Sequence, residues 1–155
     1  LEMSAPISTD DFRMLNGCLD SAIAGAVTVG AGSGTEAFLA PSLNGRQPGT
    51  LRMESALGFK ADATYSCNLN TKRGKADQVI ANGVTIESGA QFNVIANKRL
   101  TAGQVFTVIS NTAASAIVGA FSNLPDDSIF SVGRNTFQAD YQGGDGNDLT
   151  LTVVL

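Results

Sequence analysis

Short runs of β-branched and aromatic residues, separated by Gly, Asn-Gly or Pro, make up the chain from residue 22 onward. Within the runs, apolar residues alternate with small or polar ones, which is typical of strands joined by turns. Pro41, Pro48 and Pro125 fall between runs, where a missing backbone amide costs nothing. The sequence therefore predicts an all-β fold after residue 22. The predicted strands are 26–30, 36–40, 50–54, 56–60, 63–69, 77–81, 83–87, 90–96, 104–110, 117–121, 128–132, 135–141 and 148–154.

Three units of similar sequence recur within this region. They begin at Val27, Leu57 and Val84, so the two steps are 30 and 27 residues long. Each unit has a short apolar strand, a bend of small residues and a second strand with one aromatic residue. A strand, a corner and a strand at such a period favour a β-solenoid, because one rung cannot bury its apolar face alone and stacked rungs share it. The aromatic residues are Phe38, Tyr65 and Phe92.

Residues 104–155 differ from the units before them. Their predicted strands are joined by hairpin-length links, and the open end of a solenoid needs a cover for its apolar surface and free edge amides. We predict one β-solenoid domain over residues 22–155, with residues 104–155 as an aromatic-rich C-terminal β cap. A β-sandwich with Greek-key connections would give similar short strands and is the alternative. Four of the eight phenylalanines lie in this cap: Phe106, Phe121, Phe130 and Phe137.

The first 21 residues have a different pattern. Ser8-Thr9-Asp10-Asp11 supplies hydroxyls and carboxylates that cap a helix and suit the positive end of its dipole. Phe12, Leu15 and Leu19 follow at spacings of three and four residues, as one apolar stripe. We predict a short N-terminal capping helix over residues 9–20, and we interpret Leu1-Glu2-Met3 as a cloning scar before a start codon. The chain is accordingly expected to be a piece of a larger protein.

The chain contains no histidine, which excludes several kinds of active site at once. A Ser-His-Asp triad, a Cys-His dyad and a His-ligated metal site all require that residue. The 14 acidic residues outnumber the 10 basic ones, giving a net charge of −4, whereas nucleic-acid-binding proteins present a basic face. We therefore expect no enzymatic activity, no cofactor and no nucleic-acid partner.

Two further features concern the compartment. No stretch of 18 apolar residues occurs, so we predict no membrane span. The apolar segment 22–34 lacks a basic leader, so we do not interpret it as a signal peptide.

Cys18 and Cys67 are too few for a disulfide framework and lack metal-ligand spacing. They are either two small buried hydrophobic residues or one disulfide formed in an oxidising compartment.

The segment Gly143–Asp148, with the sequence GGDGND, is close to a calcium-binding nonapeptide repeat. Calcium prefers six to eight oxygen ligands, which loops of this kind supply between stacked tandem copies. This chain has one copy, and its apolar residue comes one place early, at Leu149. We predict a turn that leads into the last strand, with no metal; a calcium site is the alternative.

Paired carboxylates for acid-base catalysis are the next class of candidate site. Asp10-Asp11 and Asp126-Asp127 are adjacent in sequence, and adjacent residues on a strand face opposite ways. A glycosidase needs two carboxylates about 5–9 Å apart, and stacked rungs lie about 4.8 Å apart. A polysaccharide-active β-helix with stacked carboxylates is therefore an alternative to solvated faces and turns. The acids concerned are Glu36, Glu54, Asp62, Asp77 and Glu87.

Two polar features could bind a ligand. Lys72-Arg73-Gly74-Lys75 is the one basic cluster, and we predict a solubilising loop there, with contact to an anionic polymer as the alternative. Thr28, Thr85, Thr107 and Thr152 could line one exposed sheet face, which would suit a carbohydrate- or surface-binding module. Without tryptophan, and with two tyrosines, the chain has little to stack against a sugar ring.

Several segments together resemble one family. Residues 26–29 read AVTV, and residues 77–96 read DQVIANGVTIESGAQFNVIA. The most specific part is IVGAFSNLP at 117–125, FSVG at 130–133 and YQGGDGNDL at 141–149. Over residues 22–154 the chain resembles the C-terminal portion of bacterial autotransporter-associated β-strand repeat proteins. The resemblance implies a right-handed parallel β-helix with adhesive or structural roles, secreted or displayed on the cell surface, and no catalytic residues.

We therefore expect a non-catalytic structural or adhesive module of a secreted or surface-displayed bacterial passenger protein. Its expected location is extracellular or on the bacterial cell surface. Its expected partners are glycans or cell-surface components, or further copies bound through the solenoid ends. A carbohydrate- or surface-binding module and a polysaccharide-active enzyme are the alternatives.

Overall fold

A computed structural model of the chain describes residues 7–9, 12–13, 23–34, 36–42, 47–70, 74–96 and 98–154. The described residues contain fifteen β-strands and no helix, which confirms the predicted all-β fold. The strands are β1 (Ile7–Thr9), β2 (Phe12–Arg13), β3 (Val27–Val29), β4 (Ala37–Ala40), β5 (Thr50–Arg52), β6 (Leu57–Phe59), β7 (Ala63–Asn70), β8 (Lys75–Ala76), β9 (Gln78–Ala81), β10 (Val84–Ile86), β11 (Gln91–Ala96), β12 (Val105–Asn111), β13 (Ile129–Val132), β14 (Asn135–Gly143) and β15 (Asp148–Val153).

The predicted N-terminal helix over residues 9–20 is wrong. Thr9 ends β1, which pairs in parallel with β3, and Phe12 lies in β2, opposite Leu39 of β4. Capping residues and a three-four spacing are weak local preferences, and a backbone ladder to neighbouring strands outweighs them. Residues 10, 11 and 14–22, which include Cys18, lie outside the described residues. In the described part of the chain, no helix is long and apolar enough to cross a membrane.

The strands form three sheets, none of them closed. The first sheet has the order β1-β3-β6-β10, the second β2-β4-β7-β11, and the third β5-β9-β12-β15-β14-β13. The first two sheets are parallel apart from β8, which pairs antiparallel with the end of β7. In the third sheet β5, β9 and β12 are parallel, and β15, β14 and β13 continue antiparallel. Greek-key β-sandwiches consist of antiparallel sheets, so that alternative does not describe these three.

The three sequence units lie opposite one another in the sheets. On neighbouring parallel strands from β3 to β12, paired residues are 26 to 30 residues apart in sequence. Because the pairing is in register, side chains of the same position form continuous apolar rows. Such rows are Val27–Leu57–Val84 in the first sheet, Leu39–Tyr65–Phe92 in the second and Leu51–Val79–Ile109 in the third.

The rows meet in one hydrophobic core. Burial alternates along β3, β4, β6 and β10, as the two-residue period of a strand requires. Four rings meet in the core with centres 5.1 to 6.4 Å apart, and each such pair adds about 0.5–1.5 kcal/mol beyond its buried area. Residues 112–154, which follow β12 and are here called the C-terminal region, contribute one of them, so this region shares its core with the repeat units. The rings belong to Phe59, Tyr65, Phe92 and Phe121.

Candidate functional site

The C-terminal region reaches the last strand of the first sheet at Val118. The Ile86 amide donates to the Val118 carbonyl at 2.8 Å, and the Val118 amide donates to the Val84 carbonyl at 3.0 Å. These two bonds form a parallel bridge between Val118 and Thr85 of β10. Gly119 follows directly, and a Cβ there would lie 2.0 Å from the Ile86 carbonyl oxygen, so the close approach requires glycine.

At the last strand of the second sheet, an asparagine side chain takes the place of a neighbouring strand. The Phe92 amide donates to Asn123 Oδ1, and Asn123 Nδ2 donates to the Phe92 carbonyl, both at 2.8 Å. The Gly89 amide donates to Ser122 Oγ at 2.7 Å, and the Ser122 amide donates to the Ala90 carbonyl at 2.8 Å. Residues 122–123 thereby satisfy backbone groups at the start of β11 that a further strand would otherwise bond.

The third sheet continues from β12 into the antiparallel strands. β15 pairs with β12, with Phe106 opposite Leu151 and a bulge between Thr107 and Ile109. The Asn111 amide at the end of β12 donates to Asp148 Oδ1 at 2.8 Å. The last strand of each sheet's parallel part is therefore bonded to the C-terminal region.

Tyr141 fixes the C-terminal region from inside. Its buried hydroxyl donates to the Leu124 carbonyl at 2.9 Å and accepts from the Phe121 amide at 3.1 Å. Burial raises the pKa of Tyr141 to about 12. The hydroxyl thus holds the segment that carries Phe121 and Asn123 in place.

Sequence reasoning missed Asn123 and the similar residue Asn135. Asn135 Nδ2 donates to the Lys98 carbonyl at 2.7 Å, and Asn135 Oδ1 accepts from the Leu100 amide at 2.6 Å. Each amide bonds a backbone segment more than 30 residues away. No local pattern marks such a contact, because it depends on which segments the fold brings together.

Asp77 lies in the core with no exposed surface. Its Oδ1 accepts from the Gly49 amide at 2.8 Å. Its Oδ2 accepts from the Asn68 amide at 2.9 Å, from Asn68 Nδ2 at 3.0 Å and from Ser42 Oγ at 2.9 Å. Four donors around one carboxylate satisfy oxygen atoms that burial removes from water. The signal for burial was present in the sequence, because residues 77, 79 and 81 share one side of a strand.

Two of the other predicted acids line one shallow groove of about 220 Å³, here called the Glu36 groove. Glu36 Oε1 accepts from Thr64 Oγ1 at 2.7 Å. Asp62 accepts from the Gly32 amide at 2.8 Å and the Ala31 amide at 3.1 Å, and the bond from Gly32 is the main reason that its pKa lies below the ordinary value. A glycosidase needs one carboxyl group whose pKa is raised, and Asp62 changes in the opposite direction.

The remaining predicted acids are spread over the surface. Glu87 Oε1 lies 2.6 Å from Lys60 Nζ, and both side chains are about two-fifths exposed. Glu54 is exposed just after β5. Asp126 accepts from the Tyr141 amide at 3.0 Å and from Gln142 Nε2 at 3.1 Å, whereas Asp127 is an exposed turn residue. Asp10 and Asp11 lie outside the described residues.

Gly143–Asp148 forms the turn between β14 and β15. Gly144 and Gly146 have φ of 62° and 110°, the left-handed region that favours glycine. Burial is the main cause that raises the pKa of Asp148, whose carboxylate bonds to the Asn111 amide. Among the described residues, no group of three or more Cys, Asp or Glu side chains is arranged to hold a metal ion.

Cys67 is a free thiol inside the second sheet, 0% exposed. Its Sγ donates to the Asp77 carbonyl at 3.5 Å, and burial raises the pKa of the thiol well above its ordinary value. A buried thiol of this kind behaves as a small hydrophobic residue and not as a nucleophile.

The four threonines predicted to share a face lie on two different sheets. Thr28 and Thr85 belong to the first sheet, where Gly58 of β6 separates them. Thr107 and Thr152 belong to the third sheet, on β12 and β15. A single threonine ladder is therefore absent from the described residues.

The outer side of the third sheet carries a second groove, of about 320 Å³, here called the Lys75 groove. Of the predicted basic cluster, Gly74 and Lys75 line this groove, and residues 72 and 73 lie outside the described residues. The groove is lined by Thr50, Gly74, Lys75, Ala76, Gln78, Val105, Phe106 and Thr107.

Comparison of the chain with protein-family models, curated proteins and solved structures finds no match. The fold and the contacts above are therefore the basis of the functional argument.

Proposed function

We propose that the chain is a non-catalytic structural module, a right-handed parallel β-helix whose open end is closed by residues 112–154, the described part of the predicted cap 104–155 that follows β12. The observation that carries the proposal is that one C-terminal region bonds to the last parallel strand of every sheet. Val118 bonds to β10, Asn123 to β11 and β15 to β12. These bonds support a closing role, because unpaired edge amides and an open apolar core would otherwise face water.

The strand pairings support a helical winding. Three successive stretches of chain each contribute one strand to each sheet: β3, β4 and β5, then β6, β7 and β9, then β10, β11 and β12. Neighbouring strands come from successive stretches, as they would in stacked turns of a solenoid. We propose a right-handed winding because parallel crossover connections within a sheet are right-handed in nearly all proteins.

The proposed parent protein and location rest on the resemblance of residues 117–149 to autotransporter-associated repeat proteins. We propose that the module belongs to a secreted or surface-displayed bacterial passenger protein, outside the cell or on its surface. Adhesive contact with glycans or cell-surface components, or with further copies through the solenoid ends, is part of the same proposal.

The hydrogen bonds and the ion pair made by the acidic side chains support a non-catalytic role. Asp62 and Asp77 both accept backbone amides, and Glu87 pairs with Lys60. These contacts give the carboxylates a structural use, which supports a non-catalytic module.

The closing role is tested by breaking the bonds at the ends of the first two sheets. In the double variant Val118→Pro/Asn123→Ala, β10 loses the Val118 amide and β11 loses both bonds from Asn123. We expect a larger mass than that of the wild type at equal concentration in light scattering, because freed strand edges pair with other copies. Asn93→Ala removes an exposed asparagine of β11 whose side chain bonds to Ser66 and not to the C-terminal region, and the mass of this variant should stay that of the wild type.

A double variant with wild-type circular dichroism and wild-type mass would contradict the closing role. The single variant Asn123→Ala gives a second measurement if the double variant unfolds. Hydrogen exchange of the Phe92 amide should become faster in it, because that amide donates to Asn123 Oδ1. Unchanged exchange at Phe92 would count against the proposal as well.

A further inference from the structure

Lys75 is the one charged residue among those that line the Lys75 groove. The ion pair found among the described residues joins Lys60 and Glu87. The Lys75 ammonium therefore has no carboxylate partner among the described residues. An unpaired cation on the rim of a groove attracts an anionic group, although the molecule as a whole carries a net charge of −4.

The uncharged polar side chains of the Lys75 groove also have no hydrogen-bond partner among the described residues. The hydroxyls of Thr50 and Thr107 and the amide of Gln78 make no hydrogen bond to another described residue, in contrast to Glu36 and Asp62 of the Glu36 groove. A hydroxyl and a carboxamide can each donate and accept. The hydroxyl groups of a sugar also donate and accept hydrogen bonds, so they match this combination.

Val105 adds an apolar surface to the groove. It is 59% exposed and is one of four large hydrophobic residues exposed in the described part of the chain. An exposed aliphatic side chain beside polar groups can pack against the C–H face of a sugar ring. Phe106 also lines the groove, but it is buried and offers no face for stacking. The four residues are Ile95, Val105, Val118 and Ile129.

We propose that the Lys75 groove binds one residue of an acidic saccharide. Lys75 pairs with the sugar carboxylate, Thr50, Gln78 and Thr107 bond to ring hydroxyls, and Val105 contacts the C–H face. The volume of about 320 Å³ is at the lower end of small-molecule sites, so it suits one ring and not several. A single ring of ordinary ligand efficiency binds with a Kd of about 1 mM. The proposal does not depend on the closing role of the C-terminal region.

The test is a titration of the full chain with methyl galacturonide, followed by backbone amide chemical shifts. Methyl galactoside has the same ring without the carboxylate, and acetate has the carboxylate without the ring. We expect saturable shifts at Gly74, Gln78 and Thr107 with the galacturonide, and at least fivefold weaker binding of the other two. Lys75→Gln should weaken galacturonide binding at least fivefold. Arg134→Gln, which removes an exposed cation from the turn between β13 and β14, should leave it unchanged.

Three results would overturn the proposal. One is the absence of saturable shifts at the groove up to a concentration of about 50 mM, far above the expected Kd. The second is equal binding of galacturonide and galactoside, or of galacturonide and acetate, because either would remove the need for a charged sugar. The third is unchanged galacturonide affinity in Lys75→Gln. Amide shifts far from the groove in Lys75→Gln would reveal a folding defect, and Lys75→Arg, which keeps the charge, should then retain binding.

Discussion

Asp77 is a single residue that holds three parts of the chain together. Its carboxylate accepts from Ser42 and Gly49, which flank the loop 42–49, and from Asn68 in the middle of β7. Parallel strands need long connections between them, and a buried acceptor that both ends of such a loop can reach keeps the loop's ends close to the sheet. The carboxylate therefore does structural work at a place where sequence alone indicated a catalytic alternative.

We expect Asp77→Ala to lower the free energy of unfolding by at least about 3 kcal/mol, because the amides of Gly49 and Asn68 lose their acceptor inside the protein. Asp77→Asn keeps one acceptor oxygen but turns an amino group towards donors, so its effect should be intermediate. Urea unfolding measures both. Asp145→Ala, in the exposed turn before β15, is the control and should change stability by less than about 0.5 kcal/mol. Equal midpoints for Asp77→Ala and Asp145→Ala would contradict this account.

For single residues, the sequence showed which side chains were candidates but not what they contact. The sequence showed that the candidate acids are spread along the chain, but their partners could not be predicted. The Asp62 carboxylate bonds to Ala31 and Gly32, about 30 residues earlier, because parallel pairing brings one repeat unit beside the next. Asn123 and Asn135 bond to segments at similar distances along the chain. Composition and spacing carry no information on such contacts until the register is known.

At the scale of elements, alternation of apolar and polar residues was the informative signal. The predicted runs 36–40, 56–60, 90–96 and 128–132 correspond closely to β4, β6, β11 and β13. The run 117–121 was predicted as a strand, but it makes only the Val118 bridge, because Gly119 turns the chain at φ 80° towards Phe121 in the core. The helix was mispredicted where local capping signals competed with pairing to strands that follow much later in the chain.

Two glycines of neighbouring strands should respond in opposite ways to substitution. Gly58 lies inside β6 on the outer side of the first sheet, and a Cβ there would have its nearest neighbour, Thr28 Oγ1, at 4.0 Å. Gly30, just after β3, has φ of 86°, and a Cβ there would lie 2.3 Å from Asp62 Oδ1. The first position has room for a side chain, and the second has neither the room nor the backbone conformation.

We expect Gly58→Thr to raise the free energy of unfolding by about 0.5–1 kcal/mol, because glycine in a strand loses more backbone entropy on folding and packs no side chain. It would also fill the row between Thr28 and Thr85. Gly30→Ala should instead lower stability by at least about 1 kcal/mol, through the strained φ and the displaced Asp62 carboxylate. Thermal unfolding of the two variants compares them directly. A destabilising Gly58→Thr would show that the outer face of the first sheet is covered at that position.

At the scale of the whole molecule, the repeat units and the C-terminal region form one core. Tyr65 of β7 stacks among the rings of Phe59, Phe92 and Phe121 and donates to the Val108 carbonyl of β12 at 2.8 Å. Tyr141 bonds inside the C-terminal region. The two tyrosines of the chain therefore report on the centre of the repeat units and on the end that the C-terminal region is proposed to close.

Both tyrosines should stay protonated above pH 10 while the molecule is folded. Burial raises the pKa of Tyr141 to about 12 and that of Tyr65 well above the ordinary value of about 10. Because both pKa values are higher in the folded state than in the unfolded state, the stability that they contribute is complete below about pH 10. It is lost as the pH rises from 10 towards the folded-state values. We therefore expect the free energy of unfolding to fall steadily from about pH 10 to pH 12.

Tyrosinate absorbance, measured against pH together with far-UV circular dichroism, checks this expectation. In the native protein the absorbance should stay low through pH 10 and rise only at higher pH, whereas in concentrated urea both tyrosines should titrate near their ordinary value. Tyr141→Phe leaves Tyr65 as the sole reporter, and its absorbance should still rise with unfolding. If half of the tyrosinate signal instead appeared near pH 10 with the β signal intact, one tyrosine would be open to solvent. The variant would identify which one, and a solvent-open Tyr141 would mean that the end of the sheets is not closed in solution.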